Sequence, residues 1–146
     1  MDIAALIAWI VTAAGGIDLI ATWLAAGGVR RRHEAVSRLP VPAVFGHASL
    51  AVIGLLLWIA YLITDDRALA WLAFIVLPII ASVGAFMFVL WRRAFRAGRH
   101  HEASEDVERA STSPESRLPV PVVFLHGAAA VTTVVLVLLA ALQVGS

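Results

Sequence analysis

The sequence SRLPVPAVFGH at residues 37–47 occurs a second time, as SRLPVPVVFLH at residues 116–126. The two copies differ at two positions and agree at the other nine of the eleven. Each copy leads directly into a long apolar segment. The pair therefore predicts an internal duplication in which each copy starts a transmembrane helix and places one histidine inside it.

The chain is too apolar for a soluble domain, because 61% of its 146 residues are hydrophobic and only 14% are charged. Four apolar stretches are long enough to cross a hydrocarbon core of about 30 Å, which takes roughly 20 helical residues. These stretches are residues 3–29, 41–64, 68–91 and 120–144. They are continuously apolar, whereas the strands of a membrane barrel alternate, so the sequence predicts four spanning helices.

The predicted fold class is an all-α integral membrane protein whose four transmembrane helices form an up-down bundle. The bundle is a single domain, residues 1–146, built from two parallel two-helix repeats at residues 3–64 and 68–144. The first helices of the repeats match poorly, although residues 8–11 resemble residues 73–76. In an up-down bundle the second and fourth helices lie diagonally across the axis.

The basic residues predict how the protein is oriented. Ten of the eleven arginines lie in two loops, residues 30–40 and 92–119, and the eleventh is Arg67. By the positive-inside rule both loops are cytoplasmic and both termini are outside. The chain uses arginine and no lysine, which is typical of a GC-rich bacterial genome, so the expected location is a bacterial cytoplasmic (inner) membrane. Tryptophans near the ends of the helices are expected to form belts at the two membrane interfaces.

Two histidines, His47 and His126, are predicted to lie deep in the membrane. Each follows the arginine of its repeat, Arg38 or Arg117, by nine residues, which is about 13 Å along a helix. The two imidazoles should therefore lie at equal depth and face one another across the bundle. The small residues expected on the same faces are Ala51, Gly54, Ala129 and Ala130.

Paired deep histidines predict a metal-centred cofactor, and a b-type haem with His47 and His126 as axial ligands to its iron fits best. In its helical bundle, paired histidines and small neighbouring residues, the chain resembles small membrane b cytochromes. Such proteins often carry more histidine ligands and two haems, whereas only one deep pair is present here. The resemblance implies electron transfer, by the protein itself or as a subunit of a larger complex.

A second hypothesis involves Asp18, the only acidic residue deep in a span. Its neighbours three and four residues away are small or polar, so Asp18 is expected to face into the bundle. Asp18 with His47 and His126 could then bind a divalent metal ion or relay protons, in a transporter that forms an oligomer. A third hypothesis is an accessory membrane subunit without a cofactor, in which each histidine only hydrogen-bonds a neighbouring helix.

Several other classes have no support in the sequence. There are no cysteines, which excludes disulfides, iron–sulfur clusters and covalent c-type haem. Nucleotide-binding and hydrolase motifs are missing, so no independent enzymatic activity is predicted. The arginines lie beside the membrane, so no nucleic-acid partner is expected; the expected partners are the lipid bilayer, other membrane subunits or further copies of the chain. His100 and His101, beside Glu102 and Glu105, are interpreted as part of a solvated charged loop.

Overall fold

The computed structural model describes residues 1–29, 37–100 and 113–142, without the side chains of residues 97–100. In that part the protein is all α-helical, with no strands. The helices are α1 (Asp2–Ala25), α2 (Val41–Thr64), α3 (Arg67–His100) and α4 (Val120–Ala141), and a short 3₁₀ helix covers Pro114–Arg117. All four long helices are long and apolar enough to cross a membrane, as the sequence predicted.

The duplicated prolines define where α2 and α4 begin. Pro40 precedes α2 with φ −64° and ψ 124°, and Pro119 precedes α4 with φ −65° and ψ 117°. In both helices a second proline follows in the first turn, where the missing N–H has no intrahelical partner. The repeated sequence therefore gives the two helices the same start.

Glycine ends α1 four residues before the predicted limit at position 29. Gly27 has φ +90°, a conformation that favours glycine, and its N–H donates to the carbonyl of Leu24. The ring of Trp23 covers Gly28, where an added Cβ would lie 2.1 Å from the ring. The helix therefore ends with its last tryptophan folded over the glycine turn.

A tight turn joins α2 to α3. Asp65 has φ 56°, in the left-handed region, and its N–H donates to the carbonyl of Tyr61 at 2.8 Å. Asp66 then accepts a hydrogen bond from the N–H of Ala68 at 2.9 Å, which caps the first turn of α3. The predicted bounds of α2, residues 41–64, agree with the structure.

The helices do not all pack equally. The most extensive contacts join α1 to α4 and α2 to α3, whereas α3 with α4 and α1 with α2 make fewer. Each tight pair combines one helix from the first half of the chain with one from the second. We refer to α1 with α4 and α2 with α3 as the two helix pairs.

Two buried clusters occupy opposite ends of the helices. One cluster, at the end of the helices near the two chain termini, includes Trp58 and Tyr61. The Tyr61 hydroxyl lies 3.4 Å from an Asp2 carboxylate oxygen. The other, at the loop end, is formed by Trp23, Leu39, Val44, Trp91 and Leu118. The loop-end cluster brings together the leucines of both SRLP sequences.

Burial in α1 matches burial in α3 at positions 68 residues apart. The buried pairs are Ala5 with Ala73, Trp9 with Leu77, and Trp23 with Trp91. This burial pattern relates α1 to α3 at an offset of 68 residues, whereas the similarity of residues 8–11 to residues 73–76 has an offset of 65. The two-helix repeats stay a prediction.

Four of the five tryptophans, Trp9, Trp23, Trp58 and Trp91, are buried between helices, and Trp71 is exposed. The expected tryptophan belts at the membrane interfaces stay a prediction. Protein groups account for several of these positions: the indole N–H of Trp23 donates to Ser37 Oγ at 3.1 Å, and Trp9 lies against Gly54, where an added Cβ would approach its ring to 2.8 Å. These four tryptophans therefore fill space between the helices.

Candidate functional site: the paired histidines

His47, on α2, is held by the neighbouring helix α3. Its Nδ1 lies 3.0 Å from the backbone carbonyl oxygen of Ile80. The ring also lies against Gly84, one turn further along α3, where an added Cβ would be 3.1 Å from Cε1 of His47. The imidazole therefore presents its Nδ1–Cε1 edge to α3.

His126, on α4, has the same environment on α1. Its Nδ1 lies 2.9 Å from the carbonyl oxygen of Thr12, and an added Cβ at Gly16 would be 3.2 Å from its Cε1. The correspondence extends to position, because Thr12 and Gly16 are each 68 residues before Ile80 and Gly84. Each histidine therefore meets a carbonyl and then, one turn later, a glycine.

The two imidazoles lie together. Their ring centroids are 6.2 Å apart and the ring planes are inclined at 64°. This confirms the prediction that His47 and His126 meet inside the bundle. Within the described residues, the hydrogen bonds of both rings involve Nδ1 alone. When Nδ1 donates its proton to a carbonyl, Nε2 carries the lone pair that can bind a metal.

Two threonines form a hydrogen bond between α1 and α4, the helices on either side of the His126 contact. Thr12 on α1 and the buried Thr133 on α4 have their hydroxyl oxygens 3.1 Å apart. Thr133 lies two turns beyond His126 on the same helix. Thr12 therefore contacts α4 twice, through its carbonyl oxygen to His126 and through its hydroxyl to Thr133.

Asp18 is not part of this site. Its side chain is exposed on the outer surface of α1, so the expectation that it faces inward is wrong. Small residues occur on both sides of α1: Gly15 and Gly16 pack against His126, whereas Ala14 and Ala21 are exposed together with Asp18. The described residues contain no cluster of three or more His, Asp or Glu side chains able to hold a metal ion.

One buried acid was missed from the sequence. Glu115, in the second loop, is fully buried, and its Oε1 accepts hydrogen bonds from the Ser37 hydroxyl and, at 2.9 Å, from the Leu39 N–H. Its Oε2 is buried and has no hydrogen-bond partner among the described residues. The sequence gives no periodic signal for such a contact, because it joins two loops that are far apart along the chain.

The remaining histidine and acid motif, residues 100–105, lies outside the residues whose side chains the structure describes. The interpretation of this motif as a solvated loop therefore stays a prediction. Comparison with protein family models, with characterised proteins and with solved structures gives no match to this chain.

Proposed function

We propose that this protein is a membrane electron-transfer protein or subunit that binds one b-type haem between His47 and His126. The observation that supports it is the matched pair of imidazoles, 6.2 Å apart between ring centroids, each with Nδ1 at a carbonyl. Haem is commonly held by such protein imidazoles.

The distance between the two ring centroids is what would be expected if His47 and His126 both held one iron. A metal–imidazole bond of about 2 Å on each side, together with the distance from each nitrogen to its ring centre, gives centroids about 6 Å apart. The hydrogen bonds to Ile80 and Thr12 would fix the tautomer and the orientation of each ring. Such second partners are typical of metal-binding histidines.

The packing of the helices supports the same proposal. His47 belongs to one helix pair and His126 to the other, and contacts between the pairs are fewer than contacts within them. We interpret the four helices as an up-down bundle of two parallel repeats, in which a flat ring would lie between the pairs. Arg38 and Arg117, at the starts of α2 and α4, would be available to haem propionates on the loop side.

The chemistry expected of this site is transfer of single electrons. His47 and His126 would both be used to hold the haem, which would supply this one-electron chemistry. The protein's own contribution would be to orient the two imidazoles and to provide apolar surroundings.

A cofactor-free accessory subunit is the second candidate, and the same hydrogen bonds favour it. Each Nδ1–carbonyl contact satisfies a polar group inside the membrane and joins α2 to α3 or α4 to α1, and such a bond contributes about 0.6–2 kcal/mol. In this case the histidines stabilise helix packing and bind no cofactor. The position of Asp18 on the outer surface gives the transporter hypothesis no comparable support.

Absorption spectroscopy of the full-length protein, purified from haem-replete cells, distinguishes the candidates. We expect a low-spin b-type spectrum with one haem per chain, lost in both His47→Ala and His126→Ala. Two matched controls, Asp18→Asn and His33→Ala, should keep it. Colourless wild-type protein would overturn the haem proposal, and a loss of thermal stability in the two histidine variants of that colourless protein would then support the accessory role.

A further inference from the structure

The outer face of α1 carries an acid in an unfavourable place. Asp18 is exposed and lies seven residues before the end of α1 at Ala25, or about 10 Å along the helix. Among the described residues, none forms a hydrogen bond or ion pair with its carboxylate. Ionisable side chains within a membrane almost always face other protein groups, because facing lipid is costly.

The equivalent face of α3 provides an internal comparison. Positions 68 residues apart are exposed in both helices, but the side chains differ. The face of α1 consists of Ile7, Val11, Ala14, Asp18, Ala21 and Ala25, and we call it the Asp18 face. The equivalent α3 residues are Ile75, Ile79, Ser82, Phe86, Val89 and Arg93. In its central turns α3 therefore has Phe86 and Val89 where α1 has Asp18 and Ala21.

The smaller and more polar side chains of the Asp18 face indicate that this face contacts another protein surface, and not lipid. Bulky apolar side chains suit lipid, whereas small side chains let two helix backbones approach closely. The residues of the Asp18 face recur at alternating intervals of four and three, which is the spacing at which two like helices pack side by side. A single polar residue in such a seam fixes its register.

The chemistry of the other exposed residues identifies the occupant. The described arginines lie at or beyond the ends of the helices, at positions 38, 67, 92, 93, 96 and 117. The exposed hydroxyls of Ser82 and Thr132 donate to carbonyls of their own helices. Ser49 is also exposed, but it follows His47 on α2 and lies nearer the end of the bundle that carries Trp58 and Tyr61 than Asp18 does. On another copy of the chain, the described group at the depth of Asp18 that can both donate to and accept from a carboxyl group is therefore Asp18 itself.

We propose that the Asp18 face binds the same face of a second copy, and that the two Asp18 carboxyl groups share a proton in the contact. A two-fold axis along the membrane normal puts identical residues of two α1 helices at the same depth. One carboxyl group, protonated, donates to the other. The site between the histidines lies on the opposite side of α1, so this contact does not depend on haem binding.

Disulfide cross-linking tests the contact, because the natural chain has no cysteine. Ala14→Cys and Ala21→Cys, on the Asp18 face, should each form a covalent dimer when membranes containing the full chain are oxidised. The matched controls 68 residues later, Ser82→Cys and Val89→Cys, are equally exposed on α3 and should stay monomeric. All four positions face outward, so the substitutions leave the core unchanged.

A second measurement uses the natural chain, which has no cysteine, in lipid vesicles. Fluorescence energy transfer between labelled copies reports their self-association as added lipid dilutes the protein. Asp18→Leu should weaken the dimer roughly 3-fold to 20-fold, the range for one interhelical hydrogen bond, while Asp18→Asn should keep most of it. Equal cross-linking at Ala14 and Ser82, or no cross-linking at Ala14, would overturn the proposal. Cross-linking of Ala14→Cys only to a different protein would also overturn it, by identifying another subunit as the occupant.

Discussion

The position of each imidazole depends on a glycine in the neighbouring helix. An added Cβ at Gly84 or Gly16 would lie 3.1 or 3.2 Å from the Cε1 atom of the histidine that faces it. This is closer than ordinary van der Waals contact, so a larger side chain must displace the ring. Neither glycine could be recognised as part of the site from the sequence, because each lies on a different helix from the histidine that it contacts.

Substitution of these glycines should therefore disturb the site. We expect Gly84→Val and Gly16→Val to displace the imidazoles and to destabilise the fold by about 1–3 kcal/mol through overpacking. If the haem proposal is correct, the affinity for haem should fall about tenfold for every 1.4 kcal/mol of binding free energy that is lost. Thermal unfolding in detergent and the absorption spectrum measure the two effects.

Gly46 and Gly127 are the matched controls, because each is adjacent in sequence to one of the histidines and an added Cβ there meets nothing within 4 Å. Gly46→Val and Gly127→Val should leave the spectrum unchanged and stability within about 0.5 kcal/mol. Equal losses at all four glycines would contradict the packing explanation and indicate a general effect of valine on the helices.

The elements that the sequence predicted best are those with local signals. The Pro-Val-Pro sequences located the starts of α2 and α4, because a proline pair is unfavourable inside a helix and suitable in its first turn. The end of α1 was predicted too late, since Gly27 and Gly28 are nearly neutral in hydropathy and do not interrupt the apolar stretch. Their effect comes from the positive φ of Gly27 and the ring of Trp23 over Gly28.

Between elements, Glu115 links the starts of α2 and α4. Glu115→Ala should destabilise the protein by about 1–3 kcal/mol, because it removes the buried carboxylate that accepts from both the Leu39 N–H and the Ser37 hydroxyl. Glu115→Gln keeps one side-chain carbonyl for that N–H and should lose less. Thermal unfolding in detergent measures both variants.

A double-mutant cycle checks whether Ser37 and Glu115 act together. Because the Ser37 hydroxyl donates to the same carboxylate, the effects of Ser37→Ala and Glu115→Ala should not add, with a coupling energy of about 0.5–3 kcal/mol. Full additivity would mean that the two loops are stabilised independently of this hydrogen bond.

For the whole molecule, the sequence predicted four membrane helices and the meeting of two histidines, but not which face of α1 is inside. Lipid is as apolar as the core, so hydrophobicity does not distinguish the two faces of a membrane helix. Small residues occur on both faces of α1, and only the positions of Gly15, Gly16 and Trp23 against other helices decide the matter. The burial of Trp9 beside Gly54 was unpredictable for the same reason.

The orientation in the membrane remains a prediction from the distribution of arginines. A single cysteine at Asp65 should react with a membrane-impermeant maleimide added to intact cells, because the turn between α2 and α3 is expected to be outside. A cysteine at Ser104, in the arginine-rich loop, should react only after the membrane is broken. The reverse pattern would place both termini in the cytoplasm.

The partners of the two histidines also determine when this protein can finish folding during synthesis. The carbonyl of Thr12 and the imidazole of His126 are 114 residues apart in the chain, so translation at roughly 5–20 residues per second separates their synthesis by roughly 6–23 seconds. During that interval α1 lies in the bilayer without α4, its principal partner. A chain whose translation stops after α3 therefore lacks both contacts that α4 makes with Thr12, from the His126 imidazole and from the Thr133 hydroxyl.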